Sequence, residues 1–106
     1  MIGLGTWVTT IKSIVFTGEI TVVISDKEGK YDIEFRLPEK YAKKMKIRTY
    51  DIVEDGNTLS GKGEVNLLPG KEIGASVTFN GDTFEGFLDI PFLKKQIPLK
   101  NGHKIG

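Results

Sequence analysis

The sequence has 106 residues, 39% of them apolar and 27% charged, which predicts one domain with a single core over residues 1–106. A net charge of +1 argues against a general nucleic-acid-binding protein, and the lack of cysteine excludes disulfides and thiolate metal sites. No apolar run reaches the roughly 20 residues that cross a bilayer and no signal-peptide pattern is present. We therefore expect a soluble cytoplasmic protein with neither membrane nor nucleic acid as partner.

The first alternating segment runs from Gly5 to Lys12. Trp7, Thr9 and Ile11 share one face of this segment, which predicts a first strand. The connection at residues 13–18 is unusually apolar, and we expect it to fold over an open end of the sheet.

Residues 19–25 and 30–37 predict a hairpin that turns at residues 26–29. With Ser25 opposite Lys30, three apolar residues of one strand face apolar residues of the other on one side of the hairpin. The pairs are Ile24 with Tyr31, Val22 with Ile33, and Ile20 with Phe35.

Residues 38–45 predict the one short helix, because proline suits a first helical position and Tyr41 and Met45 stand four apart. A basic cluster begins in this helix. It offers two interpretations: a solvated surface, which the neutral total charge favours, or a site for an anionic partner. The cluster consists of Lys40, Lys43, Lys44, Lys46 and Arg48.

Residues 45–54 and 57–67 predict a third hairpin with a tight turn at Asp55-Gly56. In this register Ile52 faces Leu59, and the ring of Tyr50 covers Gly61.

Residues 73–90 predict the clearest hairpin, with two possible registers. A turn at Asn80-Gly81 sets Val77 opposite Phe84, whereas a turn at Gly81-Asp82 sets Phe79 opposite Phe84. Both registers keep the same apolar residues on one face, since side chains alternate with a period of two.

A final segment at residues 97–105 brings the total to about eight short strands joined mostly by hairpins. Such a meander closes into a barrel or folds as a sandwich, and the short connections favour an all-β, antiparallel barrel. Closure also removes the exposed strand edges that an open sheet must protect.

Gly5-Thr6-Trp7 resembles the Gly-x-Trp motif at the first strand of the lipocalins and related calycin barrels. The resemblance implies a small calycin-like barrel in which the tryptophan packs across the closed end. It also implies a basic residue of the last strand over that ring, for which Lys104 is the candidate. The second lipocalin motif, Thr-Asp-Tyr, is absent from the sequence.

No catalytic or metal-binding pattern stands out. The one histidine, His103, lies among polar neighbours near the C-terminus, and no nucleophile or carboxylate can be assigned to it. Carboxylates occur at no recognisable ligand spacing. We expect no enzyme activity, no cofactor and no metal.

The apolar face of the predicted barrel either lines a cavity or fills the interior, since eight strands are just wide enough for both. The first hypothesis is a non-catalytic protein that binds a small apolar or amphipathic ligand inside the barrel. The alternative is a solid-core structural or interaction module, with a homo-oligomer expected from outward-facing Val23 and Phe87. The predicted ligand-binding residues are Trp7, Val22, Ile33, Phe35, Tyr50, Ala75, Val77, Phe84, Gly86 and Leu88.

Overall fold

The computed structural model describes residues 1–12 and 17–106. The predicted apolar connection at residues 13–18 therefore lies largely outside the described residues. The elements in chain order are β1 (Gly5–Lys12), β2 (Thr17–Lys27), β3 (Lys30–Arg36), α1 (Glu39–Ala42), β4 (Ile47–Asp55), β5 (Thr58–Val65), β6 (Glu72–Asn80), β7 (Thr83–Ile90), a 3-10 turn (Pro91–Leu93) and β8 (Lys95–Lys104).

The eight strands form one antiparallel sheet in the order β3-β2-β1-β8-β7-β6-β5-β4. This is the predicted all-β meander, curled into a nearly closed barrel. The first and last strands pair with each other, so the two free edges belong to β3 and β4 in the middle of the chain. We call the gap between these two edges the seam.

The two ends of the barrel differ. At the helix end lie Lys12 and residues 36–47, 65–72 and 90–95, which include α1 and the 3-10 turn. At the tryptophan end lie residues 1–5, 26–31, 54–58, 79–84 and 102–106, which include three tight hairpin turns. The helix is shorter than predicted and begins after Pro38, whose carbonyl accepts hydrogen bonds from the Tyr41 and Ala42 amides.

The β2–β3 hairpin is shifted by two residues from the predicted register. Lys27 pairs with Lys30, so the turn consists of Glu28 and Gly29 alone, and Ile24 faces Ile33. Both turn residues have positive φ, 55° and 81°, as a type I′ turn requires. The inward face is unchanged, because a shift of two residues preserves the alternation.

The β4–β5 hairpin corrects a second prediction. Its turn is Gly56-Asn57, and the register shifts between Tyr50 and Val53, where Asp51 adopts a φ of 53°. This bulge inserts one extra residue and reverses the faces of the first half of β4. Tyr50 therefore lies opposite Lys62 on the outer face and does not cover Gly61. The neighbour that approaches Gly61 is Ile52, whose Cδ1 lies 2.5 Å from the position of a Cβ there.

The β6–β7 hairpin adopts the second of its two predicted registers. Phe79 pairs with Phe84 and Asn80 with Thr83, with Gly81 and Asp82 in the turn. Gly81 has a φ of 61°. A glycine at the first central position is typical of a type II′ turn, and the β4–β5 turn shares it at Gly56.

The core divides into two clusters along the barrel axis. Towards the helix end, Ile11, Ile20, Ile90 and Ile97 are buried, and Tyr41 of α1 packs against them. Towards the tryptophan end, the buried residues are Trp7, Ile24, Leu59 and Phe84.

Candidate functional site

The barrel interior contains a cavity of about 290 Å³. Its walls are almost entirely aliphatic and aromatic side chains from all eight strands. Thr9 is the one buried polar residue among those described, and its hydroxyl donates to the Lys100 carbonyl at 2.9 Å. No buried side-chain polar atom in the described chain lacks a hydrogen-bond partner. The interior therefore offers an occupant dispersion contacts and little polar recognition.

Aromatic rings close the cavity at the tryptophan end. The ring centroid of Trp7 lies 4.9 Å from that of Phe79 and 5.7 Å from that of Phe84. The indole N–H donates to the Gly3 carbonyl at 2.8 Å, which holds the N-terminal segment against the barrel. Gly3 has a φ of 68°, and a Cβ there would lie 2.3 Å from the Phe79 ring. Only glycine allows this close approach of backbone to ring.

The cavity reaches the surface at the helix end. Leu67 and Phe92 both line the cavity, yet they are 52% and 38% exposed. Met45, just before β4, and Ile47, the first residue of β4, line the same end. The Lys71 ammonium lies 5.6 Å from the Phe92 ring centroid, so a cation stands beside this apolar opening. A molecule that enters along the barrel axis meets these side chains first.

Eight of the ten predicted ligand-binding residues line the cavity. They are Trp7, Val22, Ile33, Phe35, Ala75, Val77, Phe84 and Leu88.

The other two, Tyr50 and Gly86, are not among the lining residues. The bulge at Asp51 turns Tyr50 outward, where the Arg48 guanidinium lies 5.1 Å from its ring centroid. Partial desolvation raises the pKa of the Tyr50 hydroxyl above its ordinary value, and the nearby carboxylates of Glu72 and Glu64 raise it further.

Gly86 pairs with Val77, but the backbone of β6 lies against it. A Cβ at residue 86 would lie 2.2 Å from the Ser76 carbonyl oxygen and 2.9 Å from the Val77 Cα. The small size of this residue is therefore taken up by a close strand approach and does not enlarge the cavity.

Several lining residues were absent from the predicted site. Ile11 and Ile73 lie on the inner faces of β1 and β6, and Ile97 and Leu99 on that of β8. Period-two alternation could have identified them. Ile11 alternates with Trp7, Ile73 with Ala75, and Ile97 with Leu99. Thr49 could not be identified in this way, because its inward position depends on the bulge.

Other chemistry in the described chain is sparse. His103 is exposed, and its Nδ1 lies 2.7 Å from the Asn101 carbonyl oxygen. The described residues contain no group of three or more histidine, aspartate or glutamate side chains that could hold a metal ion. Among them, too, no helix is long and apolar enough to cross a membrane.

The position of Lys104 bears on the resemblance of the first strand to the lipocalin motif. Lys104 pairs directly with Trp7 across β1 and β8, and its side chain extends over Gly5. Comparisons with protein-family models, with curated proteins and with solved structures found no match.

Proposed function

We propose that the protein binds a small apolar or amphipathic molecule inside the barrel, without catalysis. The observation that supports this proposal is the 290 Å³ apolar cavity, closed by aromatic rings at one end and reaching the surface at the other. Ligand pockets have this character, with predominantly hydrophobic walls and few polar groups.

The free-energy cost of an empty cavity supports an occupant. Side chains around an unfilled apolar cavity lack packing partners on one side, and engineered closed cavities destabilise proteins in proportion to their volume. A barrel of 106 residues therefore gains substantially when an apolar molecule restores those contacts.

The volume limits the ligand. An apolar cavity of about 150 Å³ accepts benzene, so nearly twice that volume suits an apolar group of about ten carbon atoms. The expected ligand is a two-ring compound or a medium-length alkyl chain, and a polar group on it would remain at the helix end.

A lipocalin-like affiliation is part of the same proposal. Two observations support it: Trp7 packs across the closed end, and Lys104 of the last strand is its direct cross-strand neighbour.

The alternative, a solid-core interaction module, has less support. Phe87 is 38% exposed on the outer wall, as the dimer hypothesis needs. Val23 lies on β2, however, and β1 and β8 stand between β2 and β7. The two side chains do not form one apolar patch.

Native mass spectrometry of protein purified gently from cell extract tests the proposal. We expect a reproducible mass excess of a small molecule that disappears on denaturation. Naphthalene and 1-decanol serve as probes on the stripped protein. Either one, at a hundredfold excess over its dissociation constant, should stabilise the fold by about 2.7 kcal/mol.

Two leucine variants on adjacent residues separate cavity binding from surface binding. Ala75→Leu adds side-chain volume on the cavity wall, whereas Ser76→Leu, the control, adds a leucine to the outer face of β6. We expect Ala75→Leu to abolish the mass excess and the probe stabilisation, and Ser76→Leu to retain both. A clean apo mass together with no stabilisation by either probe would contradict the proposal.

A further inference from the structure

The fold separates charges that nearly cancel in the sequence. Nine of the 15 lysine and arginine side chains lie at the helix end, together with only two carboxylates, those of Glu39 and Glu72. This end thus carries a side-chain charge of +7. Since the formal net charge is +1, the rest of the chain carries −6. Part of that negative charge lies at the tryptophan end, which has five carboxylates and three lysines.

The positive charges of the helix end are exposed and largely unpaired. All nine basic side chains are exposed, four of them in the short stretch from Lys40 to Lys46. Within the described chain only Arg36 of the nine lies in an ion pair, at 3.5 Å from Glu34. Unpaired charges of one sign on one end produce an outward positive potential, and the net charge of the chain conceals it.

The same end exposes large apolar side chains. Leu67 and Phe92 are both exposed at this end. Lys71 follows Leu67 in the sequence, and Lys94 and Lys95 follow Phe92, so each apolar side chain has lysines within four residues of it. Exposed apolar tips beside lysines are the composition by which peripheral proteins bind the interface of an anionic bilayer. The lysines then contact the lipid headgroups, and the alkyl or aromatic groups contact the acyl chains.

We propose that the helix end docks on an anionic lipid surface. The negative remainder of the molecule orients the barrel, because it is repelled by the same surface that attracts the helix end. In this orientation Leu67 and Phe92 enter the interface, and the cavity mouth faces the acyl layer. Nucleic acid would use the charges but leave the apolar tips without a partner. A second copy would offer exposed apolar side chains at its tryptophan end, namely Met1, Leu4 and Ile105, but a side-chain charge of only −2 there, with the remaining negative charge spread around the barrel wall. An anionic bilayer offers negative charge and an apolar layer on one continuous surface.

Vesicle co-sedimentation of the purified, ligand-stripped protein tests the docking independently of any cavity ligand. The probes are vesicles of phosphatidylcholine alone and vesicles with 30% phosphatidylglycerol. We expect at least tenfold stronger partition onto the anionic vesicles at 0.1 M salt. Partition should fall at 1 M salt, where the Debye length shortens from about 10 Å to about 3 Å.

Charge variants locate the surface. Lys43→Gln/Lys44→Gln removes two exposed lysines of the helix end, and Lys27→Gln/Lys30→Gln removes two from the tryptophan end. Each juxtamembrane lysine is worth about fivefold in partition, so we expect about 25-fold weaker binding for the first pair. The second double variant has the same net charge as the first, but it should bind as the wild type does.

Tryptophan probes locate the apolar contact. Phe92 and Phe87 are both 38% exposed, the first at the helix end and the second on the barrel wall. We expect anionic vesicles to shift the fluorescence emission of the new tryptophan to shorter wavelength in Phe92→Trp and not in Phe87→Trp. Buried Trp7 contributes equally to the emission of both variants.

Equal partition onto both vesicle types, or equal losses in the two lysine pairs, would overturn the proposal. A salt-sensitive dimer in analytical ultracentrifugation, disrupted by Lys43→Gln/Lys44→Gln and accompanied by no vesicle binding, would assign the helix end to a second copy instead.

Discussion

The hydroxyl of Tyr31 donates a hydrogen bond to the carboxylate of Glu54 across the seam. Tyr31 lies on β3 and Glu54 on β4, the two strands whose edges do not pair with each other. The same hydroxyl accepts the Ile2 N–H at 2.8 Å, so one side chain connects both edge strands and the N-terminal segment. At the other end of the seam, the connection that contains α1 joins β3 to β4.

This contact predicts a pH-dependent contribution to stability. The hydrogen bond from Tyr31 holds the pKa of the Glu54 carboxyl below its ordinary value, so its stabilisation is present above that value and is lost as the pH falls through the lowered pKa. Desolvation and then the Glu54 hydrogen bond raise the pKa of Tyr31, so its contribution is present below its ordinary pKa, near 10, and is lost as the pH rises through the raised value. The unfolding free energies of Tyr31→Phe and the wild type, measured with denaturant, should differ most between about pH 5 and 9.

Glu54→Gln is the partner variant for this prediction. It retains an acceptor for the Tyr31 hydroxyl but cannot titrate, so its stability should change less than that of the wild type between pH 6 and pH 3. A difference between Tyr31→Phe and wild type that stays constant from pH 3 to pH 11 would contradict the prediction.

The aromatic closure of the barrel predicts unequal effects of two phenylalanine truncations on one strand. Phe84 is 7% exposed and contacts Trp7, whereas Phe87 is 38% exposed on the outer face of β7. Phe84→Ala should lower the unfolding free energy by about 3–5 kcal/mol. Phe87→Ala should lower it by less than about 1 kcal/mol. Chemical denaturation of the two variants measures both values, and equal losses would show that the Trp7 cluster does not dominate this end.

Two glycines on neighbouring strands predict opposite responses to alanine. At Gly86 a Cβ would lie 2.2 Å from the Ser76 carbonyl oxygen, and the backbone must move to admit it. At Gly74 the nearest atom, the Asp89 Cβ, is 3.6 Å away, an ordinary contact. We expect Gly86→Ala to cost about 1–3 kcal/mol. Gly74→Ala should be neutral or gain about 0.4–1 kcal/mol through a less flexible unfolded chain. Thermal unfolding distinguishes them, and a tolerated Gly86→Ala would contradict the close approach.

Period-two alternation was sufficient to predict the eight strands and most inward-facing residues. Alternation survives an error of two residues, which is why the shifted β2–β3 register left Val22, Ile33 and Phe35 facing inward. It does not survive an insertion of one residue. Aspartate adopts positive φ more readily than most residues, but Asp51 lies within an alternating strand pattern, so the alternation alone did not predict its φ of 53° or the reversed position of Tyr50.

The conformation of the turns and the placement of charge on the barrel were also not predictable from the sequence. Asp55-Gly56 suggested a turn with glycine second, but the chain places Gly56 first, and both kinds of primed turn match the twist of the strands, so the pattern alone does not decide between them. The net charge of +1 was the basis for expecting no nucleic-acid partner and for favouring a solvated surface over an anion site at the basic cluster. The separation of +7 from −6 depends on which loops meet at one end of the barrel, and no one segment of sequence reveals it.

The β2–β3 turn predicts a stabilising substitution. Glu28 has a φ of 55°, and a non-glycine residue in the left-handed region costs about 1–2 kcal/mol. Asparagine tolerates this region better, and Asn-Gly is the preferred pair for a type I′ turn. Glu28→Asn should therefore raise the unfolding free energy by about 1 kcal/mol. Glu28→Gln removes the same charge without that preference and should have little effect. The midpoint of urea unfolding should rise for Glu28→Asn at an unchanged slope, and equal midpoints for the two variants would show that turn conformation does not limit stability here.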